Sequence, residues 1–224
     1  MATDADPFLR PTPIIEADHP RVREFALEAA ASAGGARARA VALYYAVRDG
    51  IRYDPYTIEL DTEGFRASRT LARGRGWCVP KAVLLAACCR GLGIPARLGF
   101  ADVRNHLSTE RMRRLMRTDV FFWHGYAELS LDGRWIKATP AFNLELCEKF
   151  RLRPLEFDGR SDSIYHPFDL EGKRHMEYLN DRGWYPDVPI AEMLATFERE
   201  YPGVYEELAS ASFERDVDGA AAVG

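Results

Sequence analysis

Apolar residues along this chain first fall at helical spacing and then switch to strand-like runs. After a proline-rich start over residues 1–17, read as an extended arm, Asp18-His19-Pro20 has the pattern of a helix start, with Asp18 as N-cap and proline in the first turn. That helix is predicted to run to Ala33 and stop at Gly34-Gly35. A second, Arg37 to Arg48, gathers Val41, Tyr44, Tyr45 and Val47 near one face, and Gly50 ends it. From Val79 to about Arg90 the chain is apolar nearly all round, the signature of a central buried helix. Ala96 to Val103 reads as a strand, Arg104 to Thr118 as a basic, helical insertion. Val120 to Leu131 and Arg134 to Thr139 are strands joined by Asp132-Gly133, a strong hairpin signal. Beyond Pro140 the pattern loosens into turns until Pro189, which opens a helix carrying Ile190, Met193, Leu194 and Phe197. A short helix is expected after Pro202, and fraying from Ser210 onward.

This order gives an α+β class: a central helix packed on an antiparallel sheet. Residues 1–224 read as one domain with a C-terminal wrap at 144–209 that walls a cleft and a frayed tail at 210–224. A hydrophobic fraction of 47% is enough for a real core and excludes global disorder. The net charge of −4 argues against a nucleic-acid binder, which usually carries a basic stripe. Only four of the 30 basic residues are lysine, which we read as base composition and not as phosphate recognition. No secretory leader and no bilayer-length apolar stretch is visible, so a cytoplasmic protein without membrane partners is expected.

The chemistry concentrates at Gly76-Trp77-Cys78-Val79-Pro80-Lys81. A cysteine at a helix start faces unpaired backbone N–H groups and the positive end of the helix dipole, both of which favour thiolate. His124, in Phe121-Phe122-Trp123-His124-Gly125-Tyr126, heads a strand and could complete an activated Cys-His pair. Cys88 and Cys89 lie within the apolar helix and read as core, and Cys147 as packing. No spacing suggests a disulfide framework or a CxxC metal motif.

Asp102, Asn105 and His106 form either a polar rim or, preferably, a solvated turn. His166 and His175, near Asp158, Asp162 and Asp169, match no ligand spacing. They read as surface residues, so neither a metal nor another cofactor is expected. His19 belongs to a helix start.

The run Gly76-Trp77-Cys78, then Arg90-Gly-Leu-Gly-Ile-Pro-Ala-Arg97, then His124-Gly-Tyr-Ala-Glu128, then Gly133-Arg-Trp-Ile-Lys-Ala-Thr-Pro140 resembles the transglutaminase-like superfamily. That superfamily includes papain-like cysteine hydrolases and acyl transferases, and the motif core that carries the resemblance spans residues 68–143. The resemblance implies Cys78 as nucleophile and His124 as base, with a peptide or small amide as substrate. Where the family places aspartate, this chain has Thr139, whose hydroxyl could still accept from the His124 ring but supplies no charge. Asn143 is the alternative orienter. The Cys78 backbone N–H is one oxyanion donor, and Trp77, Trp123 or Tyr53 could supply a second. Hydrolysis is favoured over amine transfer, because Arg69, Arg73, Arg75 and Arg97 would repel a protonated amine and attract a carboxylate-bearing substrate. The rival readings are an acyl transferase and a catalytically silent binding module.

Overall fold

A computed structural model describes residues 6–105, 108–165, 170–172 and 175–221. The N-terminal half is helical: α1 (Pro20–Ala29), α2 (Gly35–Gly50), the two-residue strand β1 (Arg52–Tyr53), α3 (Thr62–Phe65), α4 (Ala67–Arg73), a second two-residue strand β2 (Arg75–Gly76) and α5 (Cys78–Gly91). Then come β3 (Ala96–Asn105), α6 (Glu110–Met116), β4 (Val120–Leu131), β5 (Arg134–Ala138), α7 (Leu144–Lys149), β6 (Met176–Tyr185), α8 (Ile190–Glu200), α9 (Val204–Ala209) and α10 (Phe213–Ala221).

The main sheet is antiparallel throughout, in the order β5-β4-β3-β6. Helix α5 is buried from Cys78 to Arg90 and lies between this sheet and a shell of α1, α2 and α4. An all-round apolar helix has no solvent face, which is why its burial was legible. Its two buried cations are spent on backbone oxygens. Lys81 donates to the carbonyls of Arg48 and Ile51, capping the end of α2, and Arg90 donates to the carbonyls of Arg10, Ala96 and Pro186. Leaving a buried carbonyl unpaired would be costly, so both contacts fix how the N-terminal segments sit on α5. Among the described residues no helix is long and apolar enough to cross a membrane.

Several expectations need correction. The N-cap of α1 is His19, not Asp18, and no side chain caps that end. The N-terminal arm is anchored, with Ile14 and Ile15 buried and Phe8 edge-on to Trp135 and Trp184. Residues 213–221 do not fray. They form α10, which buries Phe213 and Val217 and pairs Asp216 with Arg111 and Asp218 with Lys149. The loose segment after Pro140 contains α7 and a ten-residue strand, β6, which completes the sheet beside β3.

Candidate active site

The site forms where the first turn of α5 meets β4. Trp77 is the N-cap of α5 and supplies no side-chain cap. Pro80 has no N–H, and the Lys81 N–H already bonds the Trp77 carbonyl. The free helix-start donors are therefore those of Cys78 and Val79, and with the N–H of Gly125 from β4 they act to lower the thiol's pKa. The two elements can approach this closely only because residue 125 is glycine: a Cβ there would lie 2.8 Å from Val79 Cγ2 and 3.1 Å from Val79 Cα. Gly125 follows His124 directly, so the contact that brings Gly125 to the sulfur also brings in the histidine.

A bulge aims that histidine. Ala101 pairs with His124 and Val103 with Phe121, so Asp102 alone opposes both Phe122 and Trp123. Trp123 takes up the extra residue at φ +61°, a left-handed conformation that is strained for a bulky side chain. Asp102 holds it there. Its buried Oδ1 accepts the Trp123 N–H at 3.2 Å and Arg182 Nε at 2.6 Å, and its Oδ2 accepts Asn180 Nδ2 at 3.1 Å. The Arg182 guanidinium also lies 4.3 Å over the Trp123 ring. The reading of Asp102 and Asn105 as a solvated turn is therefore overturned. Both are buried on β3, because β6 covers that strand from the other side. His106 lies outside the described residues.

Cys78 and His124 line one cavity, together with Tyr53, Trp77 and Asn105. The remaining walls are apolar or aromatic: Met112 and Met116 from α6, Phe121, Phe122 and Met176 from the sheet, Phe197 from α8, Tyr201, and Tyr205 and Leu208 from α9. Residues of the C-terminal helices α8 and α9 thus line the cavity. Among the described residues, no charged side chain lines it. Arg69 and Arg73 pair with Glu59, Arg75 with Asp54 and Arg97 with Glu128, so the arginine field anticipated at the nucleophile is neutralised locally and does not face it.

Burial reverses the electrostatic expectation for the thiol. Desolvation pushes the Cys78 thiol up to about 11, against the lowering effect of these three backbone N–H groups. Desolvation likewise brings His124 down to about 4, helped by the nearby His175. The resting pair is a neutral thiol and a neutral imidazole, not a thiolate–imidazolium pair. A helix terminus contributes only a kcal/mol or so, less than the cost of burying a charge in an apolar cavity.

The orienting contact also differs from expectation. Thr139 is buried, but its Oγ1 has no hydrogen-bond partner, and neither has His124 Nε2. The threonine backbone is engaged instead, its N–H with Ser163 and its carbonyl with the Tyr44 hydroxyl. Asn143 Oδ1 accepts the Tyr53 N–H at 3.0 Å, so its side chain serves the chain leading to the site. The His124 ring is instead packed by Tyr165 and Tyr178, with centroids at 5.8 and 6.3 Å.

Of the three suggested second oxyanion donors, Trp77 and Tyr53 line the cavity. Trp123 turns its ring toward Phe100, Tyr185 and Arg182. Burial holds the Tyr53 phenol well above its ordinary range, and ionisation of the nearby Cys78 would raise it further.

His175 was read as a surface residue. It is buried against Tyr165 and Phe142 and depresses His124. Nothing in its local spacing marks it, since only the pairing of β6 with β3 carries it inward. His166 and Asp169 lie outside the described residues. Among the described residues, no three His, Cys, Asp or Glu side chains gather as a metal-ligand group. Cys88, Cys89 and Cys147 are free and buried in the core.

A helix-borne cysteine laid against an antiparallel sheet that presents a histidine defines an α+β thiol-site fold. The chain belongs to the transglutaminase-like superfamily, whose sequence profile matches residues 23–140, just over half of its length. The crystal structure of a candidate cysteine protease from Cytophaga hutchinsonii superposes with a TM-score of 0.51 at 21% identity, over 85% of this chain and 50% of that one. A candidate protease from Parabacteroides distasonis gives 0.38 at 15% identity, over 53% and 23% of the two chains. The chain thus spans about half the length of the Cytophaga protein, and the likeness is one of fold. No curated protein matches the chain.

Proposed function

We propose that this protein is a cysteine-dependent hydrolase of amide or ester bonds, acting through a thioester on Cys78. The observation that carries the reading is the shared cavity. One apolar space is lined by a cysteine at an uncapped helix start and by a histidine that burial keeps neutral and so able to take a proton.

Because the resting pair is neutral, proton transfer must accompany attack. As Sγ bonds the substrate carbonyl carbon, its proton passes to the His124 ring, and the oxyanion takes the N–H donors of Cys78 and Val79 at the helix start. Tyr53 is the side-chain donor best placed to add to them. His124 then gives the proton to the departing nitrogen or oxygen, leaving R–CO–S–Cys78. Water attacks the thioester, its proton again passing through His124, to release the acid and restore the thiol. Thr139 provides no charge for the imidazolium, so turnover rests on the backbone donors and on exclusion of water.

The absence of Asp or Glu among the described residues that line the cavity leaves nothing there to gather a cationic amine, which favours hydrolysis over transfer. The test is turnover of an activated ester and a peptide amide by the protein and by Cys78→Ala, with rising amounts of a primary amine. Cys78-dependent release of acid is expected. Efficient amide formation at low amine concentration would move the assignment to acyl transfer. Undiminished turnover in Cys78→Ala would remove the assignment altogether.

A further inference from the structure

Resting on the acyl-enzyme reading above, the geometry points to a specific acyl group: uncharged, aliphatic and short. The cavity at Cys78 has a volume of about 50 Å³, about a third of a roughly 150 Å³ cavity that holds one benzene ring, which leaves room for a short chain and not for a long one.

Most of the lining is apolar or aromatic, Met112, Met116, Phe122, Phe197 and Leu208 among it, and offers dispersion contacts but, among the described residues, no charged partner. A carboxylate or ammonium carried on the acyl chain would be desolvated there with no opposite charge to compensate it. The same environment already forces Cys78 and His124 into their neutral forms. Phe197 and Leu208 lie beyond the family-matched residues 23–140, so this limit is set by the chain's own α8–α9 segment. That segment is latched over the site by Tyr201, whose hydroxyl donates to the Val120 carbonyl at 2.6 Å and accepts the Phe122 N–H at 2.9 Å.

The reaction balances without any further reagent. An ester R–CO–OAr and the Cys78 thiol give R–CO–S–Cys78 and ArOH, with the thiol proton passing through His124 to the aryloxide. The test uses p-nitrophenyl esters of acetate, butyrate, valerate, hexanoate and octanoate, together with the mono-p-nitrophenyl ester of glutarate as the anionic counterpart of valerate. For each, kcat/KM and the intact-mass adduct on Cys78 are recorded. The profile is expected to peak at butyrate or below, to fall at least tenfold by octanoate, and to fall about a hundredfold from valerate to glutarate.

Leu208→Ala and, on a different helix, Met116→Ala should each move the peak toward hexanoate or octanoate. General loosening of the fold would lower all rates together without moving the peak. A flat profile across length and charge, with adducts still on Cys78, would overturn the inference and leave the acyl-enzyme reading standing. Absence of a Cys78 adduct with every ester would overturn both.

Discussion

Removing the Asp102 carboxylate is expected to damage both the fold and the site, and the size of the effect follows from its contacts. In Asp102→Ala three hydrogen bonds disappear: those from the Trp123 N–H at 3.2 Å, Arg182 Nε at 2.6 Å and Asn180 Nδ2 at 3.1 Å. A bond to a charged group contributes about 1.5–3 kcal/mol, and a buried N–H left unpaired costs about 1–3 kcal/mol. Arg182 is partly exposed and recovers some solvation, so the losses do not simply add. A net destabilisation of about 3 kcal/mol is expected, readable as a fall in the urea midpoint at unchanged slope.

The strained Trp123 conformation, of a kind that costs about 1–3 kcal/mol, then loses the contact that holds it, and the bulge can relax. His124 is the next residue, so acylation of Cys78 should slow at least tenfold even where the variant is fully folded. Asp102→Asn keeps one acceptor oxygen but sets an amide against the Asn180 amide, and should fall between the two. An Asp102→Ala protein within 1 kcal/mol of the parent and equally fast in acylation would refute the argument that Asp102 holds the bulge.

Three further outcomes follow from the site. His124 is held down to about 4 by burial, so the stability contributed by its neutral form is present above the unfolded value of 6.5. That contribution is lost as pH falls from 6.5 toward 4, by roughly 3 kcal/mol, and denaturation against pH should show the loss reduced in His124→Gln. The acid limb of kcat/KM should correspondingly lie near 4, and a limb near 6.5 would contradict the buried state of the ring. Thr139→Val replaces an orphaned buried hydroxyl with a methyl, so thermal unfolding should show a gain of about 1 kcal/mol and turnover should change less than threefold. Gly125→Ala drives a Cβ into Val79, with an expected cost of about 1–3 kcal/mol in denaturant unfolding and loss of acylation as β4 is pushed away from Cys78.

The helix bearing Cys78 and the hairpin bearing His124 were legible because each carries a strong local signal. One is an all-round apolar run with glycine and proline at its ends, the other an Asp132-Gly133 turn, which adopts φ +51° and +77°. Strand β6 was not legible. It is an edge strand with mostly exposed residues, so it shows no alternation, and only its pairing with β3 makes it a strand. With it went the positions of Tyr178, Arg182 and His175, and hence the burial of Asp102. The α10 helix escaped for a related reason: alanine and glycine at its end mask two core contacts, Phe213 and Val217. The ionisation of Cys78 was misjudged because a helix start is visible in sequence, whereas the apolar wall that opposes it comes from α6, α8 and α9.

The central claim is that Cys78 becomes covalently acylated with His124 as its base. Its most direct test is intact-mass spectrometry after rapid acid quench of the protein mixed with p-nitrophenyl butyrate, followed by peptide mapping. We expect one butyryl adduct, mapped to Cys78, in a burst that precedes steady-state release. It should be absent in Cys78→Ala and slowed at least a hundredfold in His124→Ala. An adduct distributed over Cys88, Cys89 or Cys147, or one formed as fast without His124, would contradict the account.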